Sequence, residues 1–141
     1  MIDVENLVFT SVETALKTSY PNINVVSDYP NKPSSFPCVA IIEEDNSVYQ
    51  DSQSSSCFEN HASLMYSVNV FSNKENGRKT EAKKIMNKVD EAFANIKFTR
   101  TMKQVIPNVD NSIFRIVARY EAVVGKGQAN GSVTTFQVYK E

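Results

Sequence analysis

The chain has 141 residues but only one histidine, two cysteines and four glycines, and these scarcities exclude much chemistry. Cys38 and Cys57 form no C-x-x-C pair and no cluster with His61, so no zinc site is expected. A secreted disulfide scaffold needs more cysteine, and the thiols are expected to stay reduced. His61 stands alone at a strand start, near Cys57. A thiol–imidazole pair is formally open there, but catalysis also needs an orienting group on a rigid scaffold, and the surroundings are a serine-rich stretch. No GxGxxG, P-loop or kinase-type motif occurs. Excess charge of one sign is also lacking: fifteen basic against sixteen acidic residues leave a net charge of −1. Such a balance gives no long-range field to draw in nucleic acid or an anionic membrane. The longest uninterrupted apolar run, about Val39 to Ile42, falls far short of the ~20 residues of a membrane span. Asp3 and Glu5 stand where a signal peptide would carry basic residues, so the chain is expected to be made and folded in a cytoplasm. The acidic run Glu43-Glu44-Asp45 has no EF-hand spacing and reads as a solvated strand end. Asn130-Gly131-Ser132 matches a glycosylation sequon, but without a secretory signal it reads as a turn. Neither a cofactor nor a metal is expected.

What the chain does have is periodicity. Val4, Val8, Val12, Ala15 and Leu16 share one stripe, which predicts a first helix over 3–19, ended at Tyr20-Pro21. A short strand over 23–27 and a proline-rich loop over 29–37 follow. The next strand, 37–44, is apolar on both faces, as a central strand would be. Residues 45–59 are polar and serine-rich and predict a mobile loop, although Val48, Tyr49 and Phe58 lie in or beside it.

The stretch from His61 to Ile96 is the most legible. Leu64, Tyr66, Val68 and Val70 alternate with Met65, Ser67, Asn69 and Phe71, and then Ala82, Ile85, Met86, Val89, Ala92, Phe93 and Ile96 form a helical stripe. Period two followed by period 3.6 predicts a strand over 62–72 and a helix from about Asn76, its N-cap, to Asn95. A strand over 98–105, a turn over 108–111 and a long alternating strand over 112–124 come next. A loop over 125–131 then leads to a final edge strand over 133–139, so that residues 126–141 read as a flexible tail or an edge strand. The expected fold is α+β: one domain over residues 1–141, with a single mixed, mainly antiparallel sheet and two amphipathic helices packed on one face.

Three features leave a contact with another molecule open. At about 3.4 Å per residue the strand 112–124 would run ~40 Å if straight, against a globule diameter of about 37 Å. It must therefore bend at a bulge or project, and a projecting strand offers backbone groups to a neighbour. Its face away from the helices carries Arg115, Arg119 and Glu121, which argue against a second covering layer and are either solvated in a monomer or matched by a neighbour's charges in an oligomer. The second helix is basic first (Arg78, Lys79, Lys83, Lys84, Lys88) and acidic last (Asp90, Glu91), opposite to what its dipole favours. That pattern suits a solvent face or a docking surface; phosphate binding would want a glycine-rich cradle.

Three segments, in this order, resemble one family. They are Ser34-Ser35-Phe36-Pro37 running on to Asp45-Asn46-Ser47-Val48-Tyr49-Gln50; Glu59-Asn60-His61 through Tyr66 to Asn73; and Phe98-Thr99-Arg100-Thr101-Met102 through Pro107 to Arg115-Ile116-Val117-Ala118-Arg119-Tyr120. Together they resemble the tail terminator (tail completion, or head–tail joining) proteins of siphophages and prophages of Gram-positive bacteria, over about residues 2–124. The resemblance implies a structural virion protein and not an enzyme. It would form a homo-oligomeric ring, a hexamer, on the head-proximal end of the tail tube, stop tube growth and present a joining surface to the head connector. Its partners would be itself, the tail tube protein and the connector, first in the host cytoplasm and then in the virion tail or neck. No nucleic-acid sequence recognition and no membrane are implied. A ring needs two different patches on each subunit; the candidates are the 45–59 loop with Val48, Tyr49 and Phe58, and the charged face with Arg115, Arg119 and Glu121. A head-completion or connector adaptor of the same phage neck is the alternative. Enzymatic use of Cys57 and His61, or regulation through the second helix, are more distant ones.

Overall fold

The computed structural model describes residues 4–28, 33, 35–48, 61–107, 112–126 and 136–139, with the backbone alone for Val48, His61, Gly125, Lys126 and 136–139. The elements run α1 (Glu5–Ser19), β1 (Asn24–Val26), β2 (Cys38–Val48), β3 (His61–Ser72), α2 (Arg78–Asn95), β4 (Thr99–Ile106), β5 (Phe114–Lys126) and β6 (Phe136–Tyr139). The strands form one sheet in the order β1-β2-β3-β5-β4, with β6 also paired to β5. Only the β1–β2 pair is parallel; the others are antiparallel. The fold is α+β, with a single mixed sheet.

Alternation places the core. Leu64, Tyr66, Val68 and Val70 of β3 join Ile116, Ala118, Tyr120 and Val124 of β5 and Val39 and Ile41 of β2 on one face. Both helices pack there: Val8, Val12 and Leu16 of α1 are fully buried, as are Ala82, Ile85, Val89 and Phe93 of α2. Burial of each of the larger side chains is worth about 2 kcal/mol. Ile96, just past the end of α2, is half-buried against this core. Cys38, Ala40 and Phe71 form a smaller cluster on the other face, covered by Phe36 and Ile113 among others. β2 is thus buried on both faces at its start, as its apolar pattern requires.

Several boundaries differ from the sequence expectation. β2 runs on to Val48, because β3 offers a pairing partner for Asp45–Val48 that local polarity does not reveal. The N-cap of α2 is Gly77 in the left-handed region (φ 89°) without a side-chain cap, so Asn76 lies in the preceding turn. At the other end Lys97 takes φ 66°, with Phe98 N–H bonded to Phe93 O and Lys97 N–H to Ala94 O, both at 2.9 Å. That is a Schellman motif built on lysine where glycine is the usual residue. The long strand begins at Phe114 and reaches Lys126, and β6 covers part of the expected 133–139 strand. The turn expected at 108–111 lies outside the described residues, as does most of the 45–59 loop.

The bulge considered for the long strand does not occur in its pairing with β3. β3 and β5 pair without a register shift from His61↔Gly125 to Ser72↔Phe114. The bulges sit in β2 at Glu44 and in β4 at Thr101. Both flank one transverse row, Glu43–Tyr66–Tyr120–Arg100. A bulge locally bends and twists the strand that carries it, while the β3–β5 pairing continues without an extra residue. Beyond the row, β6 replaces β4 along β5, pairing at Val123–Lys126.

Candidate assembly surfaces

The edge strand β4 is the least covered element of the described fold. Six of its eight residues are exposed and the other two half-buried, and Val105, 52% exposed, is the one exposed large apolar side chain among the described residues. Register explains this. Lys103 pairs with Ala118 and Val105 with Ile116, so both side chains lie on the helix-facing side. The α2 core stripe ends over β3 and β5, leaving Lys103 and Val105 beyond the helix layer, both exposed. The order of strands leaves the outer side of β4 without a partner strand among the described residues.

The transverse row is tied down by polar groups. Tyr66 Oη–H donates to Glu43 Oε1 (3.1 Å) and Tyr120 Oη–H to Asp90 Oδ1 (3.1 Å). Arg100 donates to the same Asp90 oxygen at 3.3 Å, linking β4 to α2. Burial, then the Asp90 charge and hydrogen bond, push the Tyr120 phenol well above its ordinary value, while Arg100 pulls the other way. Phe93 stacks on the Tyr120 ring with centroids 4.2 Å apart and planes 5° from parallel. Phe98 meets Phe93 and Tyr66 edge-on at 5.5 and 5.7 Å. The row is therefore a rigid brace: each phenol has an apolar body in the core and a satisfied polar tip.

On the opposite face Arg115, Arg119 and Glu121 lie along one side of β5 but differ in environment. Arg119 and Glu121 are exposed. Arg115 is half-buried and committed within the chain: Nε and Nη2 donate to Asn69 Oδ1 at 3.0 and 2.8 Å, and its guanidinium lies 5.4 Å from the Phe71 ring centre. Asn69, with no exposed surface, also donates through Nδ2 to Ser67 Oγ at 3.4 Å. Asn69, Ser67 and Val117 are buried on this side, so it is not the uniformly solvated surface that its charges suggest. Val48 closes β2, paired with Ala62, with its side chain outside the described residues; Tyr49 and Phe58 also lie outside them. Cys57 and the His61 side chain do too. Cys38 is fully buried, and burial pushes its thiol up to about 11.

The acidic run expected at a strand end is instead the bulge of β2, with Glu44 and Asp45 exposed. Sequence reasoning missed Lys103, Val105, Asn69 and Asp90. Nothing local marks them, since their roles come from partners far along the chain, though the K-x-V alternation in β4 is visible. An open cavity of about 390 Å³ beside the start of α2 is lined by Lys74, Thr80, Glu81 and Lys84, among others. Glu81 accepts from buried Ser72 Oγ at 2.6 Å, placing an acid where an anion would sit. Among the described residues no group of three or more His, Cys, Asp or Glu side chains could hold a metal, and no helix is long and apolar enough to cross a membrane.

An α+β fold with a braced single sheet, open at β4 among the described residues, is the class these observations define. No protein-family model matches the chain, and no curated protein matches it significantly. Among solved structures it is similar to the sheath/tube terminator of PVC, an extracellular contractile injection system, seen by cryo-EM in the extended state. That likeness is 14% identical and covers 85% of this chain and 58% of the other, with a TM-score of 0.42. This chain thus spans under two thirds of that protein's length, and so distant a likeness carries no function across.

Proposed function

We propose that this chain is a structural tail terminator subunit, one that caps the head-proximal end of a siphophage-type tail tube, ends its polymerisation and offers a joining surface to the head connector. One observation carries the reading. The three segments that resemble tail terminators fall on β2, on β3 and on β4 with β5, which are consecutive neighbours in the sheet. The physical character of this sheet supports the same reading. Its buried polar groups serve bracing contacts, and its least covered part is a strand edge, which recognises another backbone and transforms nothing. On this reading the chain works by contact, as a homo-oligomeric ring whose partners are the tube protein and the connector.

The test is to purify the chain, mix it with tail tubes assembled from the cognate tube protein, and image the product by electron microscopy. One end of each tube should carry a cap, and tube length should stop increasing. Binding along tube walls, or tubes that elongate unchanged in a molar excess of the protein, would refute it.

A further inference from the structure

We propose that the open edge of β4 is the docking surface for a second copy of this chain, which presents the acidic bulge of its β2. This deepens the assembly role proposed above and rests on it. The two patches lie at opposite flanks of one sheet. β4, at one end of the strand order, contains Arg100 and Lys103 and no acid. β2, at the other side of the sheet, contains Glu43, Glu44 and Asp45 and no base. β1 pairs with β2 only from Cys38 to Ala40, so it stops short of the acidic bulge. Glu44 and Asp45 are exposed there, while at β4 Lys103 is exposed beside the half-exposed Val105.

Charge decides which contact forms. Two β4 edges brought together would set Lys103 against Lys103, and two β2 bulges would set carboxylates against carboxylates; like charges across strands are unfavourable. Only the unlike pair, β4 to β2, is attractive, and it joins different patches on the two copies. Such a heterologous contact repeats head to tail and closes into a ring when the rotation permits. The features of β4 that guard an edge against promiscuous pairing, its bulge and its lysine, then act as a selector: they reject uncharged and basic edges and admit an acidic one. Arg100 is already bound to Asp90 and holds the edge in place, whereas Lys103 is in no ion pair among the described residues and is available to a neighbour. Val105 supplies apolar contact at the same spot.

The experiment is a charge exchange, read by sedimentation velocity of the full chain over a range of concentrations and salt. Lys103→Glu alone and Glu44→Lys with Asp45→Lys should each weaken self-association at least about tenfold. The triple variant, which restores unlike charge at every contact, should return to within about threefold of the wild type. Wild-type association should also weaken as salt rises. Lys103→Gln, which removes charge without reversing it, guards against misfolding of the reversed variants and should give an intermediate loss. A triple variant as weak as its parents, or a wild-type chain that stays monomeric at every concentration, would overturn the proposal. If the exchange rescues assembly but the rings do not cap tubes, the β4–β2 contact stands and the tail role falls. If the chain caps tubes but the exchange rescues nothing, the tail role stands and the contact lies elsewhere.

Discussion

Replacing Phe93 by alanine should cost more than any other single change in α2. The side chain is fully buried, stacked on Tyr120 at 4.2 Å and met edge-on by Phe98 at 5.5 Å. Truncation to alanine in such a site costs about 3–5 kcal/mol, combining lost transfer energy with the cavity left behind. A domain of this length has a total stability of about 7–20 kcal/mol, so the variant should fold but unfold at much lower urea. The aromatic share can be isolated. Phe93→Leu keeps most of the volume and loses the ring pair, and a cycle with Tyr120→Leu should give a coupling of about 1 kcal/mol. Urea unfolding followed by far-UV circular dichroism, with the slope held constant, measures each corner of the cycle. A loss below about 1.5 kcal/mol for the alanine variant would mean that the aromatic cluster is not the centre of the core. A coupling below about 0.3 kcal/mol would mean that the stacked geometry contributes nothing beyond area.

Other outcomes follow from the same structure. Arg115→Ala should cost about 2 kcal/mol by leaving buried Asn69 Oδ1 without its two donors, and Arg115→Lys should recover part of this, as measured by chemical denaturation. Lys97→Gly should stabilise the protein by up to about 1 kcal/mol, read as a rise in melting temperature, because a residue at φ 66° is held there against its Cβ. The Cys38 thiol ionises near 9.0 when unfolded but only near about 11 in the fold, so the folded state holds its proton longer. Stability from this group is complete below pH 9 and drains as pH rises towards 11; the wild type should lose up to about 3 kcal/mol more than Cys38→Ala across that window in urea titrations. Equal losses in the two proteins would show that the thiol is not protected.

Much of the architecture was legible because it is local. The stripe of α2 and the alternation of β3 and β5 each follow from side-chain period alone, and a period that buries one face leaves few alternatives. The apolar first half of β2 likewise announced two buried faces. What could not be read locally depended on which strand lies beside which. Asp45 to Val48 look like loop until β3 is placed alongside; Asn69 looks like a polar residue facing water until Arg115, 46 residues on, is laid across it. The length of the last long strand called for a bulge or a projection; the bulges lie instead in β2 and β4, on either side of Tyr66 and Tyr120, which only the pairing reveals. The exposed pair Lys103 and Val105 is likewise a consequence of where the helix layer ends. By itself the sequence determined the elements and the apolar faces they must bury, since these depend on residues a few positions apart. Tertiary structure alone decided register, bulges and open edges, because those are set by contacts between residues that only the folded chain brings together.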